Sequence, residues 1–432
     1  MLGLLGTVVV AAALAAGPIG SLTLVPGPAG CIVAPTAPRA LSCTRVHELR
    51  IDAAIVSPDG RNLYTLGGID QRSALAVMRR NPRTGAVRQI AGRAGCLVAD
   101  WTGRGKFTTC TGARLNKPST FAITPDGREL FYLNGAGRYP FNAYKRSPRT
   151  GALSVVDCCR AVRGVACASD VATSPDGRNV YVASVTCTGH GLAVLVRDPA
   201  TGDLTQPDGP AGCIQRIAAD GCARAPSRSF SPSKVAVTPD GTEVYVEALG
   251  GLFVFRRDGS TGTLKARACY LPTPKRPCHG LAELWSGGAG LSDFAFAPDG
   301  RNVYFAVNSR ILVFDRAPSG RLTQLAAPRG CVSATGDGRR CVAAPGLRGF
   351  GSDLTLSLDG RSLYLGTQDV LSRSPADGSL TPLPGRFGRS PLREWIGGSA
   401  LSPDGRFFYV GTELPAKRPG SDIGFAILRR AR

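Results

Sequence analysis

The chain has 432 residues, 43% of them hydrophobic, and carries 52 Lys plus Arg against 31 Asp plus Glu, a formal net charge of +21. Gly (55) and Pro (32) are abundant and long charged helical stretches are absent, which leaves many short strands joined by Gly/Pro turns. No Lys/Arg run of five and no zinc-finger or RNA-binding signature occurs, so nucleic acid is set aside as a partner, while an anionic envelope polymer stays open.

From the N-terminus, residues 1–20 read as a signal peptide or short anchor. MLGLLGTVVVAAALAAG is apolar and ends in small residues, with Ala13-Leu14-Ala15 as the candidate cleavage site. No Lys or Arg precedes the run, and at roughly 16 apolar residues it is short for a transmembrane helix. No other stretch would span a membrane. Residues 21–432 read as one domain, because a single unit recurs through them.

That unit is an apolar strand, a Ser/Thr-Pro-Asp-Gly turn and a Tyr-bearing strand. Its copies begin at Ser57, Thr124, Ser174, Thr238, Ala297, Ser357 and Ser402, from 45 to 67 residues apart. Pro sets φ, Asp bonds back to the backbone and Gly takes positive φ, so each copy is a tight hairpin. In the fourth copy, Val235-Ala236-Val237 is the inner strand, Val244-Tyr245-Val246 the second and Leu252–Arg256 the third. A second turn of the Arg80-Asn81-Pro82-Arg83-Thr84-Gly85 type follows, with further copies from Arg146, Arg197, Arg257, Arg316 and Arg373. Thr263-Leu264-Lys265 then opens a fourth strand. Seven four-stranded units predict an all-β fold, a seven-bladed β-propeller.

The second turn occurs six times, one fewer than the first. The chain stops at Arg432, where the seventh third strand should end, and the missing continuation stands at the start: Ser21–Cys31 matches Leu204–Cys213. The N-terminal strand should therefore pair beside Phe425–Leu428 and close the ring as the outer strand of blade seven.

These Pro-Asp-Gly and Tyr units resemble the YVTN-type repeats of bacterial surface propellers and the superfamily of seven-bladed lactonases that includes propeller 6-phosphogluconolactonases. The version with GPAGC, a loop, a second Cys and then S/T-P-D-G is similar to a secreted actinobacterial subgroup. The resemblance covers roughly residues 21–432 and implies the fold; lactone hydrolysis is one of several activities it allows. Those enzymes carry acid, Arg and His residues around the channel mouth. No His-bearing motif of theirs matches His47, His190 or His279, so no catalytic residue carries over.

The 14 cysteines indicate an oxidising compartment and hence a secreted or cell-surface protein. Local pairs are expected for Cys31 with Cys43, Cys96 with Cys110, Cys213 with Cys222, Cys269 with Cys278 and Cys331 with Cys341. A sixth joins Cys158 or Cys159 to Cys167, with the remaining one bound to Cys187. All fall in linkers between blades or in a loop between second and third strands, which share one face of a propeller. Metal thiolate binding is the rival reading, but zinc spacing and His partners are missing.

Alternate inner-strand residues should face the axis. Two residues before each turn stand Ile55, Ala122, Ala172, Ala236, Ala295, Thr355 and Ala400, a small-residue lining. Four before stand Ala53, Thr120, Asp170, Lys234, Asp293, Asp353 and Gly398. Asp170, Lys234, Asp293 and Asp353 are the candidate ligand- or cation-binding set. A hard cation such as Ca or Mg, a carboxylate base, and carboxylates that merely bond linker N–H groups are all open readings. His47, His190 and His279 fall on the same face as loop residues. Two functions follow. One is an extracytoplasmic binding or scaffold propeller, a monomer whose partner is a protein, glycan, small molecule or anionic envelope polymer. The other is a lactonase-like hydrolase acting at the mouth.

Overall fold

The computed structural model describes residues 18–34, 37, 42–47, 52–67, 73–100, 109–115, 118–134, 141–185, 190–285, 291–345, 347, 354–366, 369–383, 395–413 and 423–432. The apolar leader, residues 1–17, lies outside them. Among the described residues no helix is long and apolar enough to cross a membrane.

Each hairpin forms for a local reason. Ser57 Oγ donates to Asp59 Oδ1 at 2.6 Å and accepts the Asn62 N–H at 3.0 Å, while Gly60 sits at φ +68. The same hydroxyl–carboxylate contact recurs at Thr124, Ser174, Thr238, Ser357 and Ser402. The resulting antiparallel sheets make seven blades of one β-propeller. Blade one, for example, runs Ala53–Val56, Asn62–Gly67, Ala74–Arg80 and then Val87–Gln89 with Cys96–Ala99.

Ring closure is as expected. Leu22–Leu24 pairs antiparallel with Leu428–Arg430, and Cys31–Val33 with Gly424–Ala426. Gly20 N–H donates to Ala431 O at 2.9 Å, which carries the closure contacts one residue beyond Ser21.

The outer strand holds detail that the repeat pattern does not show. In blades one, three, five and seven it is interrupted before its Cys, and both halves pair with the third strand. The chain then loops through the cystine and returns as a two- or three-residue parallel strand, such as Ala223–Arg224 beside Ile214–Gln215.

All five local disulfides pair as expected. Cys31 is bonded to Cys43, and Cys96 to Cys110. Cys213 is bonded to Cys222, Cys269 to Cys278, and Cys331 to Cys341. Cys167 is also disulfide-bonded. The side chains of Cys158 and Cys159, and all of Cys187, lie outside the described residues, and so does the choice between the two partners expected for Cys167.

Apolar side chains gather in seven large clusters, each straddling one blade junction, of which Tyr181, Leu192, Val244 and Phe253 illustrate the third, and in a small eighth of Ala74, Cys96, Val98 and Cys110 around one cystine of blade one. Beneath each large cluster a polar latch joins blade to blade. The repeated Arg at the end of the third strand is buried and reaches back to the preceding blade. Arg146 Nε donates to Tyr64 Oη at 2.9 Å and its Nη2 to Asp59 at 2.7 Å, while Tyr64 Oη donates to Gly151 O at 2.8 Å. Tyr304–Arg373–Gly378 and Tyr409–Arg80–Gly85 repeat the pattern. At the closure Tyr364 accepts from Arg430 Nε and donates to Gly20 O, so the N-terminal Gly takes the place of the second-turn glycine. Gly151 shows why glycine is needed there: φ is +84 and a Cβ would stand 2.1 Å from Asn62 Nδ2.

Three junctions depart from this pattern; at the mildest, Tyr181 Oη still donates to Gly262 O at 2.8 Å but Arg257 Nε donates to Asn179 Oδ1 at 3.1 Å. Phe131 replaces Tyr in blade two, and Arg197 Nε, buried, has no partner. In blade four Glu243 takes Arg316 Nε at 2.8 Å, and the buried Tyr245 Oη has no hydrogen-bond partner.

Candidate functional site

Inner strands converge at the axis with their first residues on the face of the cystine loops. Small side chains let them approach: a Cβ on Gly398 would lie 2.3 Å from Ala53 Cα of the next blade. The expected lining residues Ile55, Ala122, Ala172, Ala236, Ala295 and Thr355 are half-buried, and Ala400 is buried.

The ring position is chemically lopsided. Asp170, Lys234 and Asp293 stand on the inner strands of blades three, four and five, while Ala53, Thr120 and Gly398 occupy the other side. Asp353 lies outside the described residues. Lys234 Nζ contacts Asp293 Oδ1 at 2.6 Å. The other oxygens are engaged: Asp293 Oδ2 accepts the Leu354 N–H at 2.7 Å, and Asp170 Oδ2 accepts the Val235 N–H at 2.9 Å. Each carboxylate thus ties its inner strand to that of the next blade, not to the linkers.

A fourth group joins them. Glu247, on the second strand of blade four, is the register partner of Lys234 and is only 6% exposed. Ser233 Oγ donates to its carboxylate. Burial pushes the Glu247 carboxyl up to about 8; Lys234 opposes this, and Asp170 and Asp293 add to it. Burial likewise lifts Asp170 to about 6, against the pull of the Val235 N–H and Lys234. Asp293 is raised by burial and held down by Lys234. Burial thus favours the protonated form of Glu247 at neutral pH, and Lys234 is the cation that holds the charge of the neighbouring aspartates.

Glu247 escapes a search of the inner strand alone. It has a sequence signal nonetheless: the equivalent residues in the other blades are Leu66, Leu133, Ala183, Ala306, Gly366 and Gly411. A carboxylate in that otherwise apolar column has no role in the repeat.

Among the described residues no three His, Cys, Asp or Glu side chains converge to hold a metal ion. His190 Nδ1 lies 2.8 Å from Ser231 Oγ, on the strand entry that carries Ser233 and Lys234. His47 and His279 are exposed in other linkers, and His279 lies beside Tyr270. A separate cleft of about 300 Å³ on blade five is lined by Asn308, Ser309, Ser333 and Thr335 around an Arg310–Asp337 ion pair of 2.7 Å. It shares no residue with the axial cluster.

No protein-family model and no curated protein sequence matches the chain. Solved structures do match. A putative 6-phosphogluconolactonase from Bacteroides uniformis is 16% identical with a TM-score of 0.54, the match covering 79% of this chain and 86% of that one. One from Bacteroides fragilis is 15% identical, TM-score 0.54, over 80% and 85%. The periplasmic gluconolactonase of Pseudomonas aeruginosa is 22% identical, TM-score 0.50, over 86% and 99%. At these identities the likeness establishes the propeller fold alone.

Proposed function

We propose that this protein is an extracytoplasmic binding propeller that holds a small polyhydroxylated ligand over the axial Lys234–Asp293–Glu247–Asp170 cluster. Support for the compartment comes from the five disulfides. The observation that carries the site is the cluster itself: a departure from sevenfold repetition that places a cationic donor, two acceptors and a protonated carboxyl within one mouth. Hydroxyl groups, which donate and accept, suit such a set. Three carboxyl groups stand around a single ammonium, which disfavours a phosphorylated ligand. Titration calorimetry with neutral aldonic lactones and alditols tests this. Binding should weaken about tenfold or more in Lys234→Met and Glu247→Gln. Absence of binding by the unaltered protein, or equal binding by both variants, would refute the reading.

A second reading, hydrolysis of an uncharged lactone, is favoured by Glu247 holding its proton until about pH 8 and by the names of the fold neighbours. Ionised Glu247 would take a proton from water as its oxygen adds to the ring carbonyl, with Lys234 facing the oxyanion. The proton would return to the leaving ring oxygen as the C–O bond breaks. A pH-stat assay should then show a rate rising through pH 8 and lost in Glu247→Gln, unaffected by chelator. Binding without turnover would leave the first reading alone standing.

A further inference from the structure

The face opposite the cystine loops is built from the hairpin turns, and the repeat places a cation on it in nearly every blade. The residue after the turn glycine is Arg61, Arg128, Arg178, Arg301, Arg361 or Arg406, and Thr242 in blade four; all are exposed. The neighbouring turn aspartates do not neutralise them. Asp59, Asp126 and Asp176 are engaged by the buried latch arginines Arg146, Arg197 and Arg257, and Asp299, Asp359 and Asp404 by Arg373, Arg430 and Arg80. The outer arginines thus face solvent without an ion pair among the described residues.

The excess is concentrated. At the penultimate position of the third strand stand Arg429, Arg79 and Lys145 in the adjacent blades seven, one and two, and Arg256 in blade four, but Val196, Asp315 and Ser372 in blades three, five and six. The second turns add Arg83 and Arg149 to blades one and two, and Arg321 to blade five beside the exposed Asp315, whereas blades three and four expose Asp198, Asp203 and Asp258 there. In blade one Arg79 lies directly opposite Arg88 in the antiparallel register, both exposed, and in blade four Arg256 faces Lys265 in the same way, beside the exposed Asp258. Like charges so placed repel, and an anion seated between them would reverse the sign of that interaction.

We infer that the turn face across blades seven, one and two docks a linear, phosphate-bearing polyanion. Guanidinium forks match phosphate oxygens, and the cations are strung over three adjacent blades instead of converging on one point, which fits a chain and not a single small anion. No Phe, Tyr or Trp side chain is exposed among the described residues, so the platform on which unpaired nucleic-acid bases stack is missing. This surface is independent of the axial cluster.

The test is titration of the whole protein with long-chain inorganic polyphosphate at about 0.05 and 0.15 M salt. Affinity should fall with salt. The triple variant with Arg79→Glu, Arg88→Glu and Arg149→Glu should bind about tenfold or more weakly, with a smaller salt slope. A control triple with Arg224→Glu, Arg339→Glu and Arg340→Glu, the same charge change on exposed residues of the cystine loops, should lose less than about threefold. A milder Arg88→Gln should lose about twofold to threefold with an unchanged circular dichroism spectrum. Equal losses on the two faces, no binding at the lower salt, or tighter binding of duplex DNA per phosphate would each overturn the inference.

Discussion

Replacing Tyr304 and Tyr245 by Phe, one at a time, separates the latch from simple packing. The two tyrosines occupy the same position in successive blades and are both fully buried. Tyr304 Oη accepts from Arg373 Nε at 2.6 Å and donates to Gly378 O at 2.8 Å. Removing it deletes a bond to a charged group, about 1.5–3 kcal/mol, and a neutral one of about 1 kcal/mol, leaving a buried cation and a carbonyl unpaired. Tyr304→Phe should cost about 2–4 kcal/mol. Tyr245 Oη has no hydrogen-bond partner because Glu243 holds Arg316 Nε. Tyr245→Phe should therefore be neutral or stabilise by up to about 1 kcal/mol. Denaturant unfolding followed by far-ultraviolet circular dichroism, with disulfides intact, reads both. Equal costs for the two variants would show that shape, not the hydroxyl, sets the tyrosine column, and the latch would be refuted.

Three further outcomes are expected. Phe131→Tyr should stabilise by about 1 kcal/mol, since Arg197 Nε is buried and unpartnered while Glu129 engages Nη2; denaturation midpoints test it. Replacing Cys213 and Cys222 by Ser opens a loop of sequence separation 9, which should lower stability by about 3 kcal/mol on the chain-entropy estimate. Glu247, raised in the folded state to about 8, binds a proton that the unfolded chain has lost above about pH 4.3. Its contribution therefore falls as pH rises from there to about 8 and then levels off, and Glu247→Gln should flatten that part of the pH–stability profile.

The blade count, the closure and the five disulfides were legible because each is a local pattern or a matched pair of ends. Ser57-Pro58-Asp59-Gly60 makes its hairpin with its own atoms, and paired cysteines lie 9 to 14 residues apart, from Cys213 and Cys222 at the short end to Cys96 and Cys110 at the long one. The latch was half-legible. Its Tyr and Arg recur visibly, but Tyr64 and Arg146 are 82 residues apart, and only the blade-to-blade offset brings them together. Parallel strands as short as Ala223–Arg224 carry no periodicity from which to read them. At the axis, the inner-strand count located Asp170, Lys234 and Asp293 correctly. It could not reveal that Asp170 and Asp293 each commit an oxygen to the neighbouring blade, nor that Glu247 enters from the second strand.

The hydrogen bonds between Gly20 and Ser21 at one end and Ala431 at the other impose an order of events on folding. A strand made among the first residues must wait, its edge unmatched, until Ile423–Arg430 exists to receive it. Blades one to six can assemble while the chain is still emerging, but the ring has no finished circumference until the last strand arrives. The same adjacency means that a covalent join between the ends, with a new break cut in a linker such as that between blades three and four, should leave the wheel intact.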